Sequence, residues 1–126
     1  MVGFVVVSHS AKLAEGVVDL ARMMARETPI AAAGGLEDGS FGTSFEKISN
    51  AVDAVYSDDG VIILMDMGSA VMTAEMVIET MEGRKIVMAD CPIVEGAVTG
   101  TVSAESGSSL EEIMEDLEQV GAQKKL

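Results

Sequence analysis

Two stretches of this chain are apolar at every residue: Phe4-Val5-Val6-Val7 and Val61-Ile62-Ile63-Leu64-Met65. A strand with one wet face alternates apolar and polar side chains, so a run without alternation has to be covered on both faces. Each run stops abruptly, at Ser8-His9-Ser10 and at Asp66-Met67-Gly68-Ser69. This pattern predicts a central parallel sheet between layers of helix.

The remaining segments supply the other parts. Leu13, Val17, Leu20, Ala21 and Met24 recur at helical spacing, with Lys12, Glu15, Asp19, Arg22 and Arg26 opposite them, and Pro29 marks the stop. Ile30 to Ala33 reads as a weak second strand running into Gly34-Gly35, followed by a loop to Gly42. Thr43-Ser44-Phe45-Glu46 has the capping-box pattern with Thr43 as the cap, opening a helix that buries Phe45, Ile48, Val52 and Val55. Ser57-Asp58-Asp59-Gly60 is a turn. After the second apolar run, Ser69 is placed to cap a helix through about Met81. Lys85 to Ala89 is a fourth strand, and Pro92 suits the first turn of a helix through about Ala104, which Gly96 and Gly100 weaken. Ser109-Leu110-Glu111-Glu112 is a second capping box, and Leu110, Ile113, Met114, Leu117 and Val120 form the inner stripe of the last helix. The expectation is one α/β domain over residues 1–126: an open, mostly parallel four-stranded sheet of order 2-1-3-4 with helices on both faces.

Composition narrows the function. Aromatics make up only 3% of the 126 residues, so the core is aliphatic. With 21 acids against 8 bases the net charge is −13, which repels phosphate backbones and argues against nucleic-acid binding. One cysteine and one histidine exclude a disulfide framework and a Cys/His zinc site made by a single chain, and no Asp-x-Asp-x-Asp-Gly loop prearranges a cation site. No apolar run approaches the ~18 residues of a membrane span, and the first residues do not read as a signal peptide. A soluble, intracellular protein is expected.

In open α/β sheets, chemistry gathers at the carboxyl ends of the strands, at the topological switch point. With order 2-1-3-4 that point lies between the first and third strands, and the residues leaving them are His9 and Asp66. A lone histidine before a helix start, where free N–H groups favour an anion, suits a nucleophile for phosphoryl transfer, with a carboxylate on its other nitrogen to fix the tautomer. Each residue also has an ordinary reading: His9 as a buried strand cap, Asp66 as a turn residue, Ser8, Ser10, Thr43 and Ser69 as helix caps, and Gly34, Gly35, Gly42 and Gly68 as turns. A Ser69–His9–Asp66 hydrolase is conceivable, but two partners leaving one strand make a poor start for a triad. No Gly-x-x-x-x-Gly-Lys phosphate loop, dinucleotide fingerprint or Gly-x-Ser-x-Gly elbow is present. The ten methionines are core filler, except that Met67, Met72 and Met76 near the site can form a docking surface.

Val6-Val7-Ser8-His9-Ser10, Leu13-Ala14-Glu15-Gly16-Val17, Gly34-Gly35, Gly42-Thr43-Ser44, Met65-Asp66-Met67-Gly68-Ser69-Ala70 and Pro92-Ile93-Val94-Glu95-Gly96, in this order, resemble the phosphotransferase subunits of bacterial PTS-dependent dihydroxyacetone kinase. That is the DhaM family, whose N-terminal domain is similar to mannose-type enzyme IIA. The resemblance covers essentially the whole chain. It implies that His9 takes a phosphoryl group from phospho-HPr and passes it to ADP bound on a DhaL subunit, with DhaK completing transfer to dihydroxyacetone in glycerol metabolism. It implies Asp66 beside His9, no cofactor on this chain (Mg-ADP sits on the partner subunit), a homodimer, and a cytoplasmic location. Ser8, Ser10, Gly35, Thr43, Gly68 and Ser69 are the candidates for phosphoryl binding or docking. Which ring nitrogen is phosphorylated stays open. The sequence departs from the mannose type in lacking a Trp-Gly-Gly loop after the third strand and any clear fifth, antiparallel strand, and it ends after the first domain, which implies separate HPr. The alternatives are a mannose-type enzyme IIA serving a sugar transporter and a non-catalytic interaction domain.

Overall fold

The computed structural model describes residues 1–126. Strands β1 (Gly3–Ser8), β2 (Ile30–Gly34), β3 (Val61–Met65) and β4 (Ile86–Ala89) alternate with helices α1 (Ala11–Met24), α2 (Phe45–Val55) and α3 (Ser69–Thr80). Helices α4 (Ile93–Glu105) and α5 (Leu110–Val120) follow. The sheet order is β2-β1-β3-β4 and every pairing is parallel, as the sequence predicts. No fifth strand is present.

The two unalternating runs are the two central strands, and their side chains feed two cores. Phe4, Val6, Ile62 and Leu64 point into the layer made by α1, α4 and α5. Val5, Val7, Val61 and Ile63 point into the layer made by α2 and α3. Ser109 and Glu112 form the reciprocal cap that opens α5, with Glu112 N–H to Ser109 Oγ at 3.2 Å and Ser109 N–H to Glu112 Oε1 at 2.9 Å. Gly96 and Gly100 do not break α4. They face the sheet, where an added Cβ would lie 2.5 Å from Cys91 Sγ and 2.8 Å from the Phe4 ring respectively. The intrinsic cost of helical glycine is offset by this close approach.

Packing overrides the expected stripe of α1. Ala14, Val17, Val18 and Ala21 are buried, while Leu13, Leu20 and Met24 are exposed. The reason is distance: β2 is Ile-Ala-Ala-Ala-Gly, and α1 packs so near it that only small side chains fit between. Phe45 likewise lies at the surface, and α2 buries Ile48, Ala51, Val52 and Val55. Two carbonyls on the outer edge of β2 are capped by side chains. Arg22 donates to the carbonyl of Ile30 at 3.0 Å and Lys47 to that of Gly34 at 3.0 Å.

Gly34 marks the tightest point between β2 and α1. A Cβ there would stand 2.6 Å from Ser10 O and 2.8 Å from both Ala11 Cα and Ala14 Cβ. Gly34→Ala is expected to lose roughly 1–3 kcal/mol to overpacking. Gly16, exposed in α1 with nothing within 4 Å of its missing Cβ, provides the contrast. Gly16→Ala should gain about 0.5–1 kcal/mol. Urea denaturation of both variants checks the pair; equal and small effects would mean that α1 shifts freely on the sheet.

Candidate active site

The site forms because β1 and β3 are adjacent and in register, Val7 opposite Met65, with the Asp66 amide donating to Val7 O at 3.1 Å. The chain leaving β1 therefore meets the chain leaving β3. His9 Nδ1 lies 3.0 Å from Asp66 Oδ1, and the His9 amide donates to Asp66 Oδ2 at 2.9 Å. Ser8, almost fully buried, donates its hydroxyl to the same Oδ2 at 2.9 Å, and the Met67 amide donates to Oδ1 at 2.7 Å. Burial, the largest single influence, raises the Asp66 pKa. The His9 amide, the Ser8 hydroxyl, the Met67 amide and the His9 ring together outweigh it, so the carboxyl is held below the usual aspartate value. An ionised carboxylate only accepts, so in the neutral ring the proton sits on Nδ1 and Nε2 carries the lone pair.

Nε2 points across the strand ends to Ser69, whose Oγ is 2.8 Å away. Ser69 is the first residue of α3, not its cap: Gly68, with φ +51°, takes the cap position and no side chain caps this helix. Thr43 is displaced in the same way. Ser44 caps α2, accepting from the Lys47 amide at 3.1 Å and donating to Glu37. Thr43 Oγ1 is thus free to approach Ser69 Oγ at 3.3 Å. Of two hydroxyls expected to cap helices, Ser69 lies instead against Nε2 and Thr43 against Ser69. Ser10 does cap α1, through the Leu13 amide at 3.2 Å. Gly35 is buried behind Ser8, donating to its carbonyl at 3.0 Å, with φ +67°. His9, Asp66, Thr43, Gly68 and Ser69 therefore converge, while Ser8 serves Asp66, and Ser10 and Gly35 shape the turns around them.

Sequence reasoning missed Thr73, one helical turn beyond Ser69, whose Oγ1 lies 3.0 Å from Thr43 Oγ1. Its signal was the i, i+4 spacing from Ser69, which sets both on one face of α3. Contrary to expectation, Ser69, His9 and Asp66 do stand in the order of a hydrolytic triad. An acyl-transfer site also needs donors for an oxyanion. The Ala70 amide, which follows the serine, is tied to Met67 O at 3.1 Å.

The side chain of His9 is 29% exposed and lines none of four surface grooves, among which one of about 720 Å³ runs along β2. Around it Phe41, Met67, Met72 and Met76 are exposed. A partly exposed ring outside the grooves, with apolar side chains nearby, suits contact with a macromolecule better than an engulfed small molecule. Cys91 takes no part. It packs against Gly96, and burial, aided by Asp90, raises its thiol pKa.

Comparison with known proteins identifies the family. The family described as the PTS system fructose IIA component, EIIA-man, matches residues 3–114. A Lactococcus lactis protein, the DhaM phosphotransferase subunit of PTS-dependent dihydroxyacetone kinase, is 37% identical over 97% of this chain and 98% of its own length. The chain belongs to the DhaM family of mannose-type enzyme IIA proteins. The Escherichia coli DhaM phosphoryl donor subunit is 39% identical over 92% of this chain, which spans only 26% of that longer relative. Among solved structures, a protein of unknown function superimposes with TM-score 0.88 at 28% identity, covering 99% of this DhaM-family chain and 98% of that one. The mannose/sorbose-specific IIA subunit from Enterococcus faecalis, at 18% identity and TM-score 0.65 over 98% and 93% of the two chains, shares the fold. No helix is long and apolar enough to cross a membrane.

Proposed function

We propose that this protein is the phosphoryl donor subunit of a PEP-dependent dihydroxyacetone kinase, carrying the phosphoryl group on Nε2 of His9. The observation that carries the reading is the division of labour on the ring: Nδ1 is held by Asp66 at 3.0 Å, and Nε2 is presented at an open surface. The names of the full-length relatives supply the kinase context.

The step balances simply. Nε2 attacks phosphorus in line, the N–P bond of the donor phosphohistidine breaks, and its electron pair returns to the donor ring. Nδ1 keeps its proton, and the charge that develops on the His9 ring is met by the Asp66 carboxylate. The Ser69 hydroxyl, against Nε2, and the Thr43 hydroxyl beside it are the groups placed to meet the phosphoryl oxygens. The partners in this reading are phospho-HPr as donor and a DhaL subunit with bound Mg-ADP as acceptor, acting with DhaK. The protein works in the cytoplasm as a homodimer. Phe41, Met67, Met72 and Met76 form the docking rim, within an acidic surface that favours basic partners.

The test is intact-protein mass after incubation with phosphoenolpyruvate, enzyme I and HPr, repeated after adding ADP-loaded DhaL. One acid-labile phosphoryl group that appears and then disappears is expected. A group that forms but stays when DhaL is added would favour service to a sugar transporter, and no label would leave an interaction domain.

A further inference from the structure

The Ser69 hydroxyl sits 2.8 Å from Nε2, on the lone pair that phosphoryl transfer requires. A nitrogen whose pair accepts a hydrogen bond is covered, so this hydroxyl has to leave before attack. Its destination is set by two threonines. Thr73 Oγ1 donates its only proton to the Ser69 carbonyl at 2.8 Å, so toward Thr43 Oγ1, 3.0 Å away, it can only accept. The single proton of Thr43 therefore points at Thr73. That turns a lone pair of Thr43 toward Ser69 Oγ, 3.3 Å away.

We propose that Thr73 is a positioning residue for phosphoryl transfer: it sets the direction of a hydroxyl chain that draws the Ser69 proton off Nε2 and uncovers the nitrogen. The chain runs from Ser69 to Thr43 to Thr73 and closes on the Ser69 carbonyl. Each hydroxyl donates once, and no proton changes owner; Ser69 only rotates about its Cα–Cβ bond. Once the phosphoryl group has arrived, Ser69 and Thr43 can turn their protons to its oxygens, while Thr73 stays bound to the helix backbone. The inference rests on the phosphohistidine reading above. Its distinctive content is that a side chain touching neither the ring nor the phosphoryl group controls access to Nε2.

Removing the Thr73 hydroxyl reverses the chain. Thr43 then has Ser69 Oγ as its nearest acceptor, and Ser69 has only Nε2 to donate to, so the nitrogen stays covered. Thr73→Val is expected to slow phosphorylation by phospho-HPr about five-fold at saturating donor, the weight of one neutral hydrogen bond. The KM for phospho-HPr should not move. Thr73→Ser should restore the wild-type rate, and Thr73→Ala should behave like Thr73→Val. In a Ser69→Ala background, where nothing covers Nε2, Thr73→Val should have no further effect. A second readout needs no phosphoryl chemistry. The ¹⁵N shift of His9 Nε2 in the unphosphorylated protein should move toward the hydrogen-bonded value in Thr73→Val and stay put in Thr73→Ser. An equal slowing in the Ser69→Ala background, or an Nε2 shift unaltered in Thr73→Val, overturns the proposal. Failure of the wild-type protein to accept phosphate overturns the carrier reading instead, and leaves the ¹⁵N comparison to judge the chain of hydroxyls.

Discussion

Replacing His9 with alanine is expected to abolish all phosphoryl uptake from phospho-HPr while the protein remains folded. The chain has no second imidazole to substitute. The ring is part of neither core, so its loss leaves both aliphatic layers intact. Asp66 would keep three of its four donors: the His9 amide, the Ser8 hydroxyl and the Met67 amide. Intact mass after exposure to the phosphorylating mixture, alongside a thermal melt, checks both halves. A persistent acid-labile label in His9→Ala would move the carrier to another residue.

Asp66→Asn is the second change with a large expected effect, because no orientation of the amide fits. Each carboxylate oxygen faces two donors: Oδ2 takes the His9 amide and the Ser8 hydroxyl, and Oδ1 takes the His9 ring and the Met67 amide. Wherever the NH₂ group is placed, it confronts a backbone N–H that cannot turn away. Placed at Oδ1, it also pushes the ring proton from Nδ1 to Nε2 and removes the nucleophile. Transfer should fall by something on the order of 10²–10⁴-fold, the range for a histidine held in the wrong tautomer. Single-turnover labelling measures it, and an unchanged rate would remove Asp66 from the mechanism. The acid side of the stability profile should change as well. A carboxylate with a depressed folded-state pKa contributes stability above its unfolded pKa, and that contribution is lost as pH falls through the folded value. The wild type loses it on acidification; Asp66→Asn has none to lose, so its stability curve is flatter there.

Much of this arrangement is legible in the residue order. The two unalternating runs announce a doubly covered sheet, and the strand order then brings His9 to Asp66 across nearly half the chain. Local chemistry alone reads less well where one residue can serve two masters. Thr43 and Ser69 have the look of helix caps, and a cap is what such residues usually are. Ser44 and Gly68 take those duties, a choice fixed by how each loop enters its helix, which no local pattern encodes. The inner face of α1 was misjudged for a related reason. Hydrophobicity favours burying Leu13 and Leu20, yet the alanine-rich second strand brings the helix too near for them, and Ala14 and Ala21 go in instead. Thr73 carries only its i, i+4 spacing from Ser69, a signal that gains meaning once the partner hydroxyls are placed in space.

The two capped carbonyls of β2 bear on how copies of this chain can meet. A sheet that propagates from molecule to molecule needs two receptive edges, one to give and one to receive. Arg22 and Lys47 hold the outer carbonyls at both ends of β2, whereas β4 carries no such caps. Strand-to-strand joining through β2 has first to displace Arg22 and Lys47, a cost that β4 does not carry, and a symmetric β4–β4 contact consumes the same edge of each partner. Growth by the β4 route terminates at a pair, and the two cations on the opposite side of the sheet set a cost against the open-ended filament.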